Sequence, residues 1–165
     1  MSPRRISTLA ARLLTLLCVL GWAATALASH YRLPAGGLVS DAEQRALAEA
    51  HVETTKALLD ATAAQKDRRA LAKATSISYA RLTELATQCD LLRIRGVGPS
   101  VVRLLQAAGT RHAAALRQAL PESLETKIKA ANAIHGIMEV LPDIASLADW
   151  IAQARELPKV LEGVR

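Results

Sequence analysis

The stretch Asp90-Leu91-Leu92-Arg93-Ile94-Arg95-Gly96-Val97-Gly98-Pro99-Ser100-Val101-Val102-Arg103-Leu104-Leu105 decides how the rest of the chain is read. Two glycines one residue apart allow positive φ and leave no side chain over the turn. Pro99 brings a preset φ to the first position of the helix that follows. The expected result is a tight turn whose amide hydrogens, with the next helix's N-terminus, converge on one small volume. Such a volume attracts a phosphate oxygen through hydrogen bonds and the helix dipole. Val97, between the glycines, is expected to point inward and pin the two helices together.

Working outward, the charge around this turn is one-sided. Between Leu91 and Pro121 lie Arg93, Arg95, Arg103, Arg111 and Arg117 and no acid. All are Arg rather than Lys, which favours forked contacts with phosphate. The whole chain carries +6, but three of its bases, Arg4, Arg5 and Arg12, fall in an N-terminal segment with the pattern of a secretory signal. That segment has a basic start, a Leu-rich run from Leu13 to Leu27, and small residues at Ala26-Leu27-Ala28. Residues 1–28 are therefore expected to be a signal peptide cleaved after Ala28, with an uncleaved membrane anchor as the other possibility. Either way the domain is placed outside the cytoplasm, periplasmic or secreted.

The rest of the chain reads as short helices. Apolar residues make up 51% while aromatics are 2% and Phe is absent, so Ala and Leu must fill a core of close-packed helices rather than a sheet. Residues 29–40, with Pro34, Gly36 and Gly37, read as a leader. Ser40-Asp41-Ala42-Glu43 looks like a helix start, with an oxygen-bearing cap and an acid three residues on. Helical pattern follows with breaks near His51 to Thr54 and Gln65 to Asp67. Helices are expected over Ala70 to Ala74, Tyr79 to Cys89, Pro99 to Ala108, Arg111 to Leu120, Pro121 to about Met138, and Ser146 to Ala154. Shifting the chain by 58 residues lays Leu47, Ala50, Ala57, Leu58 and Ala61 on identical residues at Leu105, Ala108, Ala115, Leu116 and Ala119. In that register the loop near Gly36-Gly37 falls close to Gly96-Val97-Gly98. The expected architecture is all-α, with two related units, the first degenerate and the second spanning about 90–160.

The glycine stretch resembles the helix-hairpin-helix turn of DNA repair and recombination proteins, which grips the sugar-phosphate backbone without reading sequence. Together with Lys66-Asp67-Arg68-Arg69-Ala70-Leu71-Ala72 and Asp149-Trp150-Ile151-Ala152-Gln153-Ala154, it is similar to the bacterial domain-of-unknown-function family numbered 4332, over residues 41–160. The resemblance implies tandem helix-hairpin-helix units and a nucleic-acid role. One departure is Val102, at a place where a small residue is usual.

The expected phosphate-binding set is Arg93, Arg95, Gly96, Val97, Gly98, Ser100 and Arg103, with DNA or another polyanion as partner. The alternative is an envelope protein-protein interaction or scaffold module in which the turn is purely structural. No enzyme is expected, because no nucleophile sits beside a base in a recognisable motif, and neither a cofactor nor a small-molecule substrate is evident. His30, His51, His112 and His135 have no metal-ligand spacing with one another or with Cys89. Cys89 reads as a buried small residue, and Trp150 as a core plug rather than a stacking platform. The scarcity of aromatics argues against base stacking on single strands.

Overall fold

The computed structural model describes residues 31–33 and 37–164. Residues 1–28, on which the signal-peptide expectation falls, and leader residues 29, 30 and 34–36, with Pro34 and Gly36 among them, lie outside the described residues. Within them run eight helices: α1 Asp41–Glu49, α2 Thr55–Thr62, α3 Gln65–Thr75, α4 Tyr79–Leu91, α5 Pro99–Ala107, α6 Ala113–Leu116, α7 Pro121–His135 and α8 Ile144–Glu156. The fold is all-α. Among the described residues the β pairing is an isolated antiparallel bridge between Arg32 and Thr54. No helix among the described residues is long and apolar enough to cross a membrane.

The helix boundaries follow from caps, and the caps repeat. Ser40 caps α1 and Gly98 stands at the same place before α5, 58 residues on. His51 and Gly109 both take the left-handed conformation after those helices. The next amides, of Val52 and Thr110, bond back to Leu47 and Leu105, each at 2.8 Å. Thr54 then caps α2 through the amide of Ala57, and His112 caps α6 through the amide of Ala115. Later Ser76 and Gly136 end α3 and α7 in left-handed geometry. Packing repeats as well. α1 meets α3 and α2 meets α4 in the first half, as α5 meets α7 and α6 meets α8 in the second.

Burial repeats too, with the spacing widening from 58 residues to 65 by the last helix of each half. Leu47, Leu58 and Leu82 are fully buried, as are Leu105, Leu116 and Leu147; each such side chain contributes roughly 2 kcal/mol of transfer free energy. Leu85, Ala86 and Cys89 on α4 fill one core, where Trp150, Ile151 and Ala154 on α8 fill the other. The two cores are laced at their edges. Leu38, just before α1, sits in the second core, and Leu161, beyond α8, sits in the first.

Several boundaries differ from the sequence expectation. α3 begins at Gln65 rather than near Ala70, because its first amide donates to the Glu162 carboxylate at 3.2 Å, a cap supplied from the far end of the chain. The helix expected over Arg111 to Leu120 shortens to α6. His112 caps it by accepting from Ala115, so helix cannot begin before Ala113. Pro121 biases the preceding Leu120 toward its observed extended geometry. α7 stops at His135, since Gly136 closes it. α8 starts at Ile144 with Asp143 as cap and runs on to Glu156.

Candidate nucleic-acid interface

After α4 the chain tightens. The amide of Leu92 bonds to Gln88, that of Ile94 to Leu91, and that of Val97 to Ile94, each at 3.1 Å. Leu92, Ile94 and Val97 are sunk in the second core, and of the residues between them Arg95 and Gly96 are exposed. Only the first glycine uses positive φ. Gly96 has φ of 85°, and a Cβ there would lie 2.9 Å from the indole nitrogen of Trp150. Gly98 has φ of −96° and ψ of 177°, which any residue adopts, and a Cβ there would meet nothing within 4 Å. The expectation that both glycines supply unusual backbone is thus corrected. The first fits the turn against α8, and the second keeps the mouth of α5 open.

That mouth is the start of a helix with no side-chain cap. The amides of Gly96, Gly98 and Ser100 find no protein acceptor among the described residues, and three such donors beside a helix N-terminus favour an anion. Arg103, one turn into the helix, donates to the Ser100 hydroxyl at 3.1 Å. Arg95 is held on Gln153: its amide donates to Gln153 Oε1 at 2.9 Å, its Nε reaches the same oxygen at 3.5 Å, and its carbonyl accepts from Gln153 Nε2 at 3.3 Å. Gln153 in turn bonds Asp149 on the same face of α8 at 2.8 Å.

Two members of the sequence-derived set stand apart. The Val97 side chain is 1% exposed and its amide is committed to Ile94, so it supports the turn from beneath. The Arg93 side chain is turned inward, where its guanidinium meets Asp90 at 2.7 Å and the Pro158 carbonyl at 3.2 Å. Its charge neutralises a buried carboxylate whose other oxygen accepts the Ala113 amide at the start of α6. The acid-free stretch therefore overstates the patch, since Asp90 lies just outside it in sequence and beside it in space. Arg117 is likewise spent on the carbonyls of Ala154 and Leu157 at the end of α8, where positive charge suits the helix dipole.

Sequence reading missed Asp90, Trp150 and Gln153 as parts of the site. The i, i+3 spacing of Asp90 and Arg93 was a usable signal. Nothing local pointed from α8 to the turn. Val102, the departure from the expected small residue, is fully buried and its amide closes the first turn of α5 on the Gly98 carbonyl at 2.9 Å. Cys89 is 3% exposed, and burial, with Asp90 beside it, pushes its thiol up to about 12. Among the described residues no three His, Cys, Asp or Glu side chains gather as metal ligands.

Comparison with known proteins adds one match. The family model described as Domain of unknown function (DUF4332) matches residues 38–157, a span that takes in both halves and the turn. No curated protein and no solved structure matches the chain.

Proposed function

We propose that this chain, which belongs to the DUF4332 family, is a non-catalytic, exported helix-hairpin-helix protein that binds nucleic-acid backbone without reading its sequence. The observation that carries the reading is the open mouth of α5. The amides of Gly96, Gly98 and Ser100 are unspent there, with Arg95 and Arg103 flanking the turn in sequence. One phosphate oxygen sits on those amides, and the two arginines neutralise its neighbours. Main-chain amides and arginines that hold phosphate carry no base information, so affinity is electrostatic and sequence-independent.

The test is a salt-titrated mobility shift on random duplex DNA with the chain from Ser29 onward. Binding is expected at low salt, weakening with a slope of about −0.9 per phosphate neutralised. Gly98→Glu is the informative variant, because the added side chain enters open space and puts a carboxylate where the phosphate would sit. A chain that fails to retard DNA at low salt sinks the reading. So does a folded Gly98→Glu variant that binds as well as the parent.

A second reading, an envelope interaction module, is favoured by a separate observation. The α7–α8 connection, residues 136–143, is longer than the Ser76–Ser78 connection of the first half. It presents Val140, 79% exposed, between exposed Ile134 at 77% on α7 and Ile144 at 42% on α8 in sequence. Apolar exposure of this kind suits a protein partner. Co-purification of one defined partner, lost in Ile134→Ser with Val140→Ser and accompanied by no DNA binding, favours it over the first.

A further inference from the structure

A groove of about 510 Å³ runs between the two halves, with Glu84 of α4 on one wall, Gln106, Arg111 and His112 on the other, and Gly163 and Val164 at its end. It lies at the C-terminal end of α5, the opposite end from the glycine turn, and the reading of that turn does not support it. Its size is that of a small-molecule site and well above that of one inorganic phosphate.

The hydrogen bonds already made decide what the groove still offers. Glu84 pairs with Arg81 at 2.9 Å and takes a bond from Gln88 Nε2 at 3.4 Å. A carboxylate only accepts, so it fixes the Gln88 amide with its nitrogen toward Glu84. The same nitrogen donates to Gln106 Oε1 at 3.1 Å, which turns the Gln106 amide in its own right and leaves its Nε2 hydrogens unspent. Gln88 keeps this orientation although its own Oε1 is buried without a partner. His112 Nδ1 accepts the Ala115 amide at 3.2 Å, so the imidazole proton resides on Nε2. Arg111 makes no bond to another described residue. What remains is a set of donors, Gln106 Nε2, His112 Nε2 and the Arg111 guanidinium, across the groove from Glu84, which shares Arg81 with Glu43.

We infer that this groove binds a phosphate-bearing ligand larger than a single phosphate, held by the Arg111 fork with Gln106 and His112 donating to the remaining oxygens. Guanidinium and phosphate match in geometry and charge. The shared chemistry is the phosphate group, whether on a free phosphorylated compound or on the continuing backbone of a bound nucleic acid.

The probe is inorganic pyrophosphate, titrated into the ¹⁵N-labelled chain from Ser29 onward. Saturating shifts are expected at the backbone of Arg111 and His112 and at the Gln106 side-chain amide. Arg111→Ala is expected to weaken binding at least tenfold. His112→Asn keeps an oxygen to cap α6 while removing the Nε2 donor, and is expected to weaken binding with the fold intact. Shifts confined to Gly96–Ser100, or unchanged affinity in folded Arg111→Ala, would overturn the proposal and leave the reading of the turn untouched. Random duplex DNA then separates the sources. Displacement of pyrophosphate from the groove assigns it to nucleic-acid backbone, and persistence of the groove shifts with DNA bound assigns it to a free phosphorylated compound.

Discussion

The start of α1 and the start of α5 hold the same place in the two halves, yet one is closed by its own side chains and the other is left open. At α1 the Ser40 hydroxyl accepts the Glu43 amide at 3.2 Å, and the Glu43 carboxylate accepts the Ser40 amide at 2.8 Å. Arg81 then clamps Glu43 at 2.7 Å and also donates to the Leu38 carbonyl. With Asp41 beside it, the first turn of α1 already contains the negative charge its dipole attracts. At α5 the cap position is Gly98, and the place of Glu43 is taken by Val101, which is buried in the second core. A reciprocal cap cannot form there, because the residue that would close it faces inward. An uncapped helix start in one half and a self-sealed one in the other thus differ at the two cap-box positions, 40/98 and 43/101.

The largest expected effect tests how the open mouth is held. Arg93→Ala leaves Asp90 buried with no cation and detaches the turn from Pro158, so it should cost about 3 kcal/mol in urea or guanidinium unfolding. A loss below about 1 kcal/mol means that Arg93 is available to solvent, and the claim that it has been withdrawn from binding fails. Next in size is the contrast of the two glycines. Gly96→Ala forces a side chain into positive φ and against Trp150, costing about 2 kcal/mol or more. Gly98→Ala should cost under about 1 kcal/mol. Equal losses at the two positions would show that the mouth over Gly98 is not open.

These two glycines also mark how far the sequence could be read. The all-helical class, the turn and the inward Val97 all follow from local signals: composition, a Gly-x-Gly-Pro run and alternation of apolar residues. The Ser40-to-Glu43 start was legible for the same reason, since a capping box is complete within four residues. What escaped came from afar. Gln153 and Trp150 reach the turn from α8, and Glu162 caps α3 from the end of the chain. No periodicity encodes contacts made across so much sequence. The arginine patch misled in part because a list of like charges does not show which guanidinium groups are turned toward main-chain carbonyls, as those of Arg93 and Arg117 are.

A smaller effect separates the halves by pH. Hydrogen bonding to Arg81, then to the Ser40 amide, holds the Glu43 carboxyl below its ordinary 4.5 despite partial burial. A depressed carboxyl contributes stability above its unfolded value and loses it as pH falls through the folded one. The parent should therefore lose stability as pH is lowered from about 5, and Glu43→Gln should flatten that dependence at a cost of about 1 kcal/mol at neutral pH. Identical pH profiles for parent and variant would mean that the α1 start is not sealed by this charge.

The smallest expected effect is the most direct comparison. Arg45 and Arg103 occupy equivalent exposed positions, one turn into α1 and α5. On the proposed reading only Arg103 stands beside unspent amides, whereas Arg45 follows a helix start that already holds Asp41 and Glu43. Arg103→Ala should lower the salt slope of DNA binding by about 0.9, the contribution of one phosphate contact. Arg45→Ala should leave it unchanged, although each removes one positive charge from the same molecule. Since net charge falls equally in both, any difference must arise from where the charge sits. Equal slopes would reduce the interaction to diffuse attraction and remove the distinction between an open and a sealed helix start.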